Sequence, residues 1–267
     1  MTLDLDARLA RATGIAKEAG ALALHHFQNR DRLAIETKRH VTDLVSEADR
    51  AVEVLIRDAL TAAFPKDAQL GEEHGESPGD SGLTWVIDPI DGTAPYLNGL
   101  PGWCVSIGAC DADGPVIGVI HAPVLGEMFL AARGRGAMVN GAPMRVAQGD
   151  LRSGLLGIGA NDRVPAARVG EMVTRLMEAE AAWTRYGSGA LMLAWVAAGR
   201  LVGYAEPRMS AWDCMAGYAL ILEAGGMVRP FPQGAAMTRP APVLGAGPGA
   251  FAELVSLTRF SDDACWA

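Results

Sequence analysis

The segment 85–93, Trp-Val-Ile-Asp-Pro-Ile-Asp-Gly-Thr, is the feature that most constrains how this chain can fold. Three apolar residues of strand-forming type lead into Asp88, and Pro89 follows. Because proline fixes φ and cannot donate to a sheet, we expect the strand to end at Asp88. Asp91 and Gly92 then favour a turn, since glycine tolerates positive φ. The segment therefore predicts two carboxylates at the end of a buried strand, where open α/β sheets bind ligands.

Asp88 and Asp91 permit two interpretations. One is a pair of solvated carboxylates in an ordinary turn after a strand. The other is a site for a hard divalent cation, because closely spaced carboxylate oxygens suit Mg²⁺ or Mn²⁺ better than zinc. An EF-hand loop does not fit, because Pro89 interrupts it and no glutamate follows at the required spacing.

Length and composition predict a sizeable core and an acidic protein. The chain has 267 residues, 50% of them hydrophobic, which is enough for one large domain or two closely joined halves. We place a boundary near residues 149–153, between an α+β half (1–150) and an α/β half (151–267). The net charge of −8, without a long basic run, argues against nucleic-acid binding. An acidic protein that acts on an anionic substrate needs bound cations to reverse the local field.

Cysteine spacing and hydropathy indicate the cell compartment. The four cysteines form no Cys-x-x-Cys pair and have no histidine at zinc spacing, as expected of thiols in a reducing compartment. No apolar run reaches membrane-spanning length, and the N-terminus lacks the pattern of a signal peptide. We therefore expect a cytoplasmic protein without a membrane partner.

Hydrophobic periodicity predicts a layered α/β fold. Helical spacing predicts helices over about 3–28 and 42–63, with a short strand over about 33–38 between them. Alternating segments joined by Asp-Gly and Asn-Gly turns predict an antiparallel meander over about 104–139. The second half alternates between strands (155–159, 181–186, 201–206, 227–230, 243–245) and helices (166–180, 190–198, 211–224, 250–259). Such alternation predicts helices packed in layers against sheets.

Further acidic residues precede the central segment. Glu72 and Glu73 lie between two glycines, and adjacent like charges destabilise a fold unless a cation or water separates them. An exposed acidic loop is the alternative interpretation. Asp49 lies beside the apolar face of the second predicted helix, where by itself it would be an ordinary solvated carboxylate.

Two features of the second half place polar groups at helix starts. Asp213 lies in the first turn of a predicted helix, where the dipole favours an anion and where ordinary capping also places aspartate. The turn Gly187-Ser188-Gly189 presents backbone N–H groups that favour anion binding, with a plain N-cap serine as the alternative. The glycine-rich segments 134–136 and 245–249 lack the context of a dinucleotide-binding loop.

Several of these segments, in this order, resemble the inositol monophosphatase family. The resemblance spans almost the whole chain, from Lys38 through the last strand, and rests on residues 71–73, 85–93, 212–217 and 223–226. It implies a layered α/β/α/β/α sandwich of the inositol monophosphatase and sugar phosphatase type, and a homodimer. It also implies a phosphomonoesterase that uses two or three Mg²⁺ ions, with Mn²⁺ as an alternative. Clustered Mg²⁺ ions meet the needs of phosphomonoester hydrolysis.

The resemblance also implies roles for individual residues. The implied metal ligands are the carboxylates of Glu72, Asp88, Asp91 and Asp213 and the backbone carbonyl of Ile90. The implied catalytic group comprises Thr93, Asp49, Glu72, Glu73 and Lys38, in which Thr93 bonds to Asp49 and, with Glu72, activates the attacking water. The implied substrate contacts are Gly92 and Thr93 for the phosphate, Gly187, Ser188, Gly189 and Glu206 for the alcohol, and also Asp91 and Asp213.

The chain departs from the family pattern at the expected substrate site. After Thr93 the family usually has a polar or basic residue and then Asn-Phe or Glu-Phe, whereas this chain has Ala94-Pro95-Tyr96. Gly189 replaces the usual alanine, and residues 99–103 resemble histidinol-phosphate phosphatases of the family equally well. An inositol monophosphate is the first expected substrate. The alternatives are histidinol phosphate, then a 3′(2′),5′-bisphosphate nucleotide or fructose 1,6-bisphosphate, and a metal-binding regulatory protein is the non-enzymatic alternative.

Overall fold

The computed structural model describes residues 4–30, 35–37 and 44–260, with 35–37 and 44–46 described by their backbone. Lys38, an expected catalytic residue, lies outside the described residues. The helices are α1 (Leu5–Gln28), α2 (Glu47–Ala63), α3 (Thr93–Leu97), α4 (Ala166–Glu178), α5 (Gly189–Ala197), α6 (Ala211–Glu223) and α7 (Pro248–Thr258), with a 3₁₀ helix at Gly234–Thr238.

The strands form three sheets within this part of the chain. They are β1 (Ile35–Thr37), β2 (Leu44–Ser46), β3 (Ala68–Gly71), β4 (Gly75–Ser77), β5 (Thr84–Asp91), β6 (Cys104–Asp111), β7 (Gly114–Ala122), β8 (Glu127–Ala132), β9 (Gly136–Val139), β10 (Ala142–Pro143), β11 (Leu155–Ile158), β12 (Ala182–Thr184), β13 (Gly203–Met209), β14 (Met227–Val228) and β15 (Ala241–Ala246). The eight-stranded sheet has the order β10-β9-β8-β7-β6-β5-β3-β4, and the five-stranded sheet has the order β12-β11-β13-β15-β14. Both are mixed: β3 is parallel to β5, β11 is parallel to β12 and β13, and the other pairs are antiparallel. The third sheet is the pair β1-β2.

Three apolar clusters arrange these elements in five layers. One cluster packs α1 and α2 against the outer face of the eight-stranded sheet. A second fills the space between the two large sheets with residues of α5 and α6. A third packs α4 and α7 on the far face of the five-stranded sheet. The predicted α/β/α/β/α sandwich is therefore confirmed.

The two large sheets lie on either side of the predicted boundary near residue 150. Strands of the eight-stranded sheet come from residues 68–143, and those of the five-stranded sheet come from 155–246. The cluster between the sheets contains residues of both halves. The division into an N-terminal and a C-terminal domain stays a prediction. Of the helices described, none is both long enough and apolar enough to cross a membrane.

Two predicted element boundaries are wrong. β5 does not end at Asp88 but continues through Pro89 to Asp91, because pairing with β6 resumes after a bulge. α2 begins at Glu47 rather than near residue 42, because residues 44–46 pair with β1 instead.

Candidate metal centre and adjoining pocket

A bulge in β5 brings the side chains of Asp88 and Asp91 together. Asp88 is opposite Ser106 and Asp91 is opposite Cys104, so β5 has one more residue than β6 between the two pairs. In a regular strand, residues three positions apart point to opposite faces, and the extra residue of the bulge compensates for this. The bulge also accommodates Pro89, which cannot donate a ladder hydrogen bond.

Asp213 completes a cluster of three carboxylates. One oxygen each of Asp88, Asp91 and Asp213 can be chosen so that all three lie within 4.8 Å of one another. Asp213 lies in the first turn of α6, and its Oδ2 accepts the N–H of Ser210 at 2.9 Å. One oxygen of Asp213 therefore caps the helix, while the carboxylate also faces the other two acids.

The cluster concentrates negative charge in a buried place. Burial raises the pKa of Asp88 well above its ordinary value, and the charges of Glu72, Asp91 and Asp213 raise it further. Burial likewise raises the pKa of Asp213, with Asp91 and Glu72 adding to the effect. Such a group of acids binds either protons or a cation. The expected metal ligands Asp88, Asp91 and Asp213 are thus in positions that favour cation binding.

Glu72 lies next to the cluster, at the end of β3. Because β3 is parallel to β5, the carboxyl ends of both strands lie at one edge of the sheet. The N–H of Glu72 donates to the Ile87 carbonyl at 3.2 Å. Glu72 lines a cavity together with Asp213, although it is not one of the three acids within 4.8 Å. The expected catalytic residue Glu73 follows, and its backbone N–H donates to the Glu53 carboxylate at 2.7 Å.

The turn Gly187-Ser188-Gly189 and the start of α5 bind the carboxylate of Asp91. Ser188 Oγ and the N–H of Ala190, the latter at 2.7 Å, both donate to Asp91 Oδ2. Ser188 also caps α5, since its Oγ accepts the N–H of Leu191 at 3.3 Å. Burial raises the pKa of Asp91, while these hydrogen bonds act in the opposite direction. The start of α5 therefore orients Asp91 within the cluster.

Gly92 and Thr93 form the start of α3. Gly92 has φ 98°, and a Cβ at this position would lie 2.7 Å from the Gly102 carbonyl oxygen, so only glycine fits without a shift. The Thr93 hydroxyl donates to the Ile90 carbonyl, the expected backbone ligand, at 3.4 Å. Pro95 packs against the turn 187–189. Its Cγ lies so close to Gly187 that a Cβ at this glycine would be only 2.8 Å away. Pro95, one of the residues that depart from the family pattern after Thr93, thus packs α3 against the turn that binds Asp91.

Asp49 is buried in the first turn of α2, with only 1% of its surface exposed. The Asp49 charge acts on Tyr96 of α3, whose pKa is raised by burial and further by this charge. Tyr96 is one helical turn beyond Thr93. The hydrogen bond between Thr93 and Asp49 stays a prediction.

A cavity of about 220 Å³ adjoins the carboxylates on the side of the five-stranded sheet. Glu206, 8% exposed, lines it and accepts the Tyr204 hydroxyl at 2.6 Å and the Asn161 amide at 3.2 Å. Burial raises the pKa of Glu206 to about 7, against the effect of these two hydrogen bonds. The other lining residues are Asp91, Ile158, Gly159, Ala160, Arg185, Gly187, Ser188, Gly189, Met192, Met209 and Asp213. The expected alcohol contacts Glu206 and 187–189 therefore line one pocket.

Three residues of the site carried no clear signal in the sequence. Cys104 approaches Asp91 Oδ2 at 3.9 Å, and burial raises the pKa of its thiol well above the ordinary value. Asn161 comes from a loop with no recognisable motif. Glu53 is 0% exposed and binds the backbone that follows Glu72. For Glu53 one indication was available in the sequence: it is spaced four residues from both Asp49 and Arg57, so the three side chains lie on one side of α2.

Comparison with known proteins agrees with this geometry. The model of the inositol monophosphatase family matches residues 4–259. Nus factor SuhB of Haemophilus influenzae is 34% identical over 249 residues, which cover 91% of this chain and 92% of that protein. Inositol monophosphatase 1 of Solanum lycopersicum is 36% identical over 241 residues, covering 84% of each chain.

A solved structure shows the same architecture. The Thermotoga maritima IMPase superimposes with a TM-score of 0.82 at 30% sequence identity, covering 94% of this chain and 96% of that one. The sequence match and the structural match both extend over nearly the whole chain. The chain therefore belongs to the inositol monophosphatase family.

Proposed function

We propose that the protein is a divalent-cation-dependent phosphomonoesterase that hydrolyses a small polyol or sugar phosphate, with inositol monophosphate as the first candidate. The observation that supports it best is the cluster of Asp88, Asp91 and Asp213 beside a polar pocket, in a member of this family. The products are the free alcohol and inorganic phosphate.

The donor set fits Mg²⁺ or Mn²⁺. The facing ligand atoms are carboxylate oxygens, which hard cations prefer. Burial raises the pKa of the nearby Cys104 thiol well above its ordinary value, which disfavours the thiolate that softer metals select. Asp88, Asp91 and Asp213 would hold two ions or three, with Glu72 and the Ile90 carbonyl as further ligands. When bound, such cations neutralise phosphoryl charge, lower the pKa of water and stabilise the leaving oxygen.

The chain's own residues would bind the phosphate and move the proton. The backbone amides of Gly92 and Thr93 would bind phosphate oxygens. Thr93, supported by Asp49, would orient the attacking water, and Glu72 would accept its proton, with Glu73 and Lys38 in the surrounding group. The water oxygen forms a bond to phosphorus, the ester P–O bond breaks, and a proton passes to the departing alkoxide.

The pocket beyond the cluster would select the alcohol. Glu206 and Asn161 can hydrogen-bond to hydroxyl groups, and Ile158, Met192 and Met209 offer an apolar side. A carboxyl group with a pKa of about 7 either accepts or donates a hydrogen bond near neutral pH. This chemistry suits a polyol and also permits histidinol phosphate, so turnover must be compared between them.

The experiment measures phosphate release with Mg²⁺ and with EDTA. The panel contains inositol 1-phosphate, histidinol phosphate, a 3′,5′-bisphosphate nucleotide and fructose 1,6-bisphosphate. We expect Mg²⁺-dependent turnover that Asp91→Asn abolishes, while Asp113→Asn in an exposed turn has no effect. Release that is equal in Mg²⁺ and EDTA would contradict the proposal. The preferred substrate then identifies the subfamily, and size-exclusion chromatography with light scattering tests the proposed homodimer.

A second candidate function is that of a Nus factor, because the Haemophilus influenzae relative carries this name. The net charge of −8 gives no support for direct nucleic-acid contact. The two functions are distinguished in a strain that lacks the gene for this protein, by comparing the growth that the wild type and the Asp91→Asn variant restore. Rescue by Asp91→Asn equal to that by the wild type would favour the Nus factor role.

A further inference from the structure

Glu53, a buried carboxylate of α2, binds the turn that follows Glu72. Its side chain is 0% exposed. Its Oε2 accepts the N–H of Glu73 at 2.7 Å, and its Oε1 accepts the N–H of His74 at 3.1 Å. A carboxylate that accepts two backbone N–H groups in the interior fixes the conformation of that backbone.

Arg57 extends the same contact by one helical turn. Its Nη1 lies 3.4 Å from Glu53 Oε1 and donates to the Gly75 carbonyl at 3.0 Å. Its Nη2 donates to Ser77 Oγ on β4. Because residues four apart lie on one side of a helix, Glu53 and Arg57 together bind the turn between β3 and β4.

The position of Gly71 shows how closely this turn approaches α2. A Cβ at residue 71 would lie 2.1 Å from Glu53 Oε1, which is closer than nonbonded atoms approach. The backbone beside Glu72 therefore contacts the carboxylate directly. On its other side the turn is held by β5, since the Glu72 N–H donates to the Ile87 carbonyl at 3.2 Å.

We infer that Glu53 is a positioning residue that holds Glu72 in place for cation binding. Glu53 binds the two residues after Glu72, while β5 binds Glu72 itself. With Asp49 one turn earlier on α2, the same helix also carries the residue proposed to support Thr93. The inference rests on the proposed function, because it assigns Glu72 to the metal site. Residues that orient metal ligands typically change metal affinity or activity about 10–100-fold when they are replaced.

The test compares Glu53→Gln with Asp67→Asn. Asp67 is a matched control, because it is also buried and hydrogen-bonded, to Arg8 and to Trp85 Nε1, but it lies away from the cluster. Mn²⁺ binding to metal-free protein is measured by calorimetry, and unfolding is measured by thermal denaturation. We expect Glu53→Gln to weaken Mn²⁺ binding about tenfold or more, as for other residues that orient metal ligands. We expect Asp67→Asn to lower the melting temperature without this loss of affinity.

Kinetics provide a second readout. With saturating metal, Glu53→Gln should lower kcat more than it changes the substrate KM, because the alcohol pocket is built from other residues. If Glu53→Gln does not fold, Glu53→Asp is used, since its shorter side chain keeps the charge but cannot reach both N–H groups.

The two hypotheses fail in different ways. Wild-type affinity for Mn²⁺ in the folded Glu53 variant, or an equal loss in Asp67→Asn, would overturn the positioning role. Wild-type protein that binds Mn²⁺ but releases no phosphate would instead contradict the proposed function, and the comparison of Mn²⁺ affinities would still decide the role of Glu53.

Discussion

Replacing Asp88 by asparagine should stabilise the metal-free protein and remove its response to metal. Asp88 is 1% exposed, and its Oδ1 accepts the Ile90 N–H at 3.0 Å, a bond that asparagine can keep. The substitution removes one negative charge from a place shared with Glu72, Asp91 and Asp213. Two unit charges about 4 Å apart repel by about 4 kcal/mol at an effective dielectric constant of about 20. We therefore expect, at alkaline pH, a gain of about 1–4 kcal/mol in the free energy of unfolding without metal.

The pH dependence of this gain has a defined sign. The pKa of Asp88 is raised on folding, so the folded state binds more protons than the unfolded state above the ordinary value of 3.8. The stability of metal-free wild type therefore falls as the pH rises from this value through the raised pKa. Asp88→Asn removes this titration. Its advantage should be largest at alkaline pH and should disappear toward pH 3.8.

Differential scanning calorimetry measures both effects. In EDTA, the melting temperature of Asp88→Asn should exceed that of the wild type by roughly 2–7 °C at alkaline pH. With Mg²⁺ at about 100 times its dissociation constant, the wild type should gain about 2.7 kcal/mol and the variant should gain little. Asp111→Asn is the control, because Asp111 is paired with Arg133 and its replacement should not stabilise. A lower melting temperature of Asp88→Asn in EDTA, or a full Mg²⁺ response, would refute this reasoning.

Two further predictions concern stability. Gly92→Ala should lower the free energy of unfolding by about 1–3 kcal/mol or more, because alanine at φ 98° is strained and its Cβ would lie 2.7 Å from the Gly102 oxygen. Gly126→Ala is the control, because Gly126 has φ 66° but no neighbour within 4 Å of an added Cβ, so this variant has the strain without the collision. If chemical denaturation shows an equal loss of unfolding free energy in both variants, the collision at Gly92 is unimportant. Burial lowers the pKa of His121, whose Nδ1 lies 2.9 Å from the Ala16 carbonyl oxygen, so stability should fall as the pH drops below the ordinary value of 6.5. His121→Gln should flatten this part of the stability curve, and an unchanged slope would assign it to other groups.

The layers of the fold follow from patterns that are visible in the sequence. Helical periodicity located α1, which buries one apolar face, and the alternation of strand-like and helix-like segments located the elements of the second half. The acidic cluster was also predictable in part. Asp88 and Asp91 follow strand-forming residues, and Asp213 begins a helix, but their convergence was inferred from the family resemblance.

The wrong prediction at Pro89 has a tertiary cause. Locally, proline ends a strand, but pairing of β5 with β6 resumes beyond it through a bulge. The bulge depends on residues of β6 that are distant in sequence, so no local rule indicates it. It is nevertheless the feature that allows both aspartates to face the cluster.

The supporting residues were not predictable, because their partners are far away along the chain. The hydrogen bond from Ser188 to Asp91 spans 97 residues, and the bond from the Glu73 N–H to Glu53 spans 20. A serine before a helix predicts a cap, and a glutamate within a helix predicts a solvated side chain. Their contacts with the site become evident only when the sheets and helices are assembled.

Phosphate release from inositol 1-phosphate, with Mg²⁺ and with EDTA, tests the proposed activity most directly. We predict release by the wild type that requires Mg²⁺, and none by Asp91→Asn, whose folded state is checked by a cooperative melting transition. Mg²⁺-dependent release by Asp91→Asn at the wild-type rate would contradict the assignment of the three-aspartate cluster as the catalytic metal site.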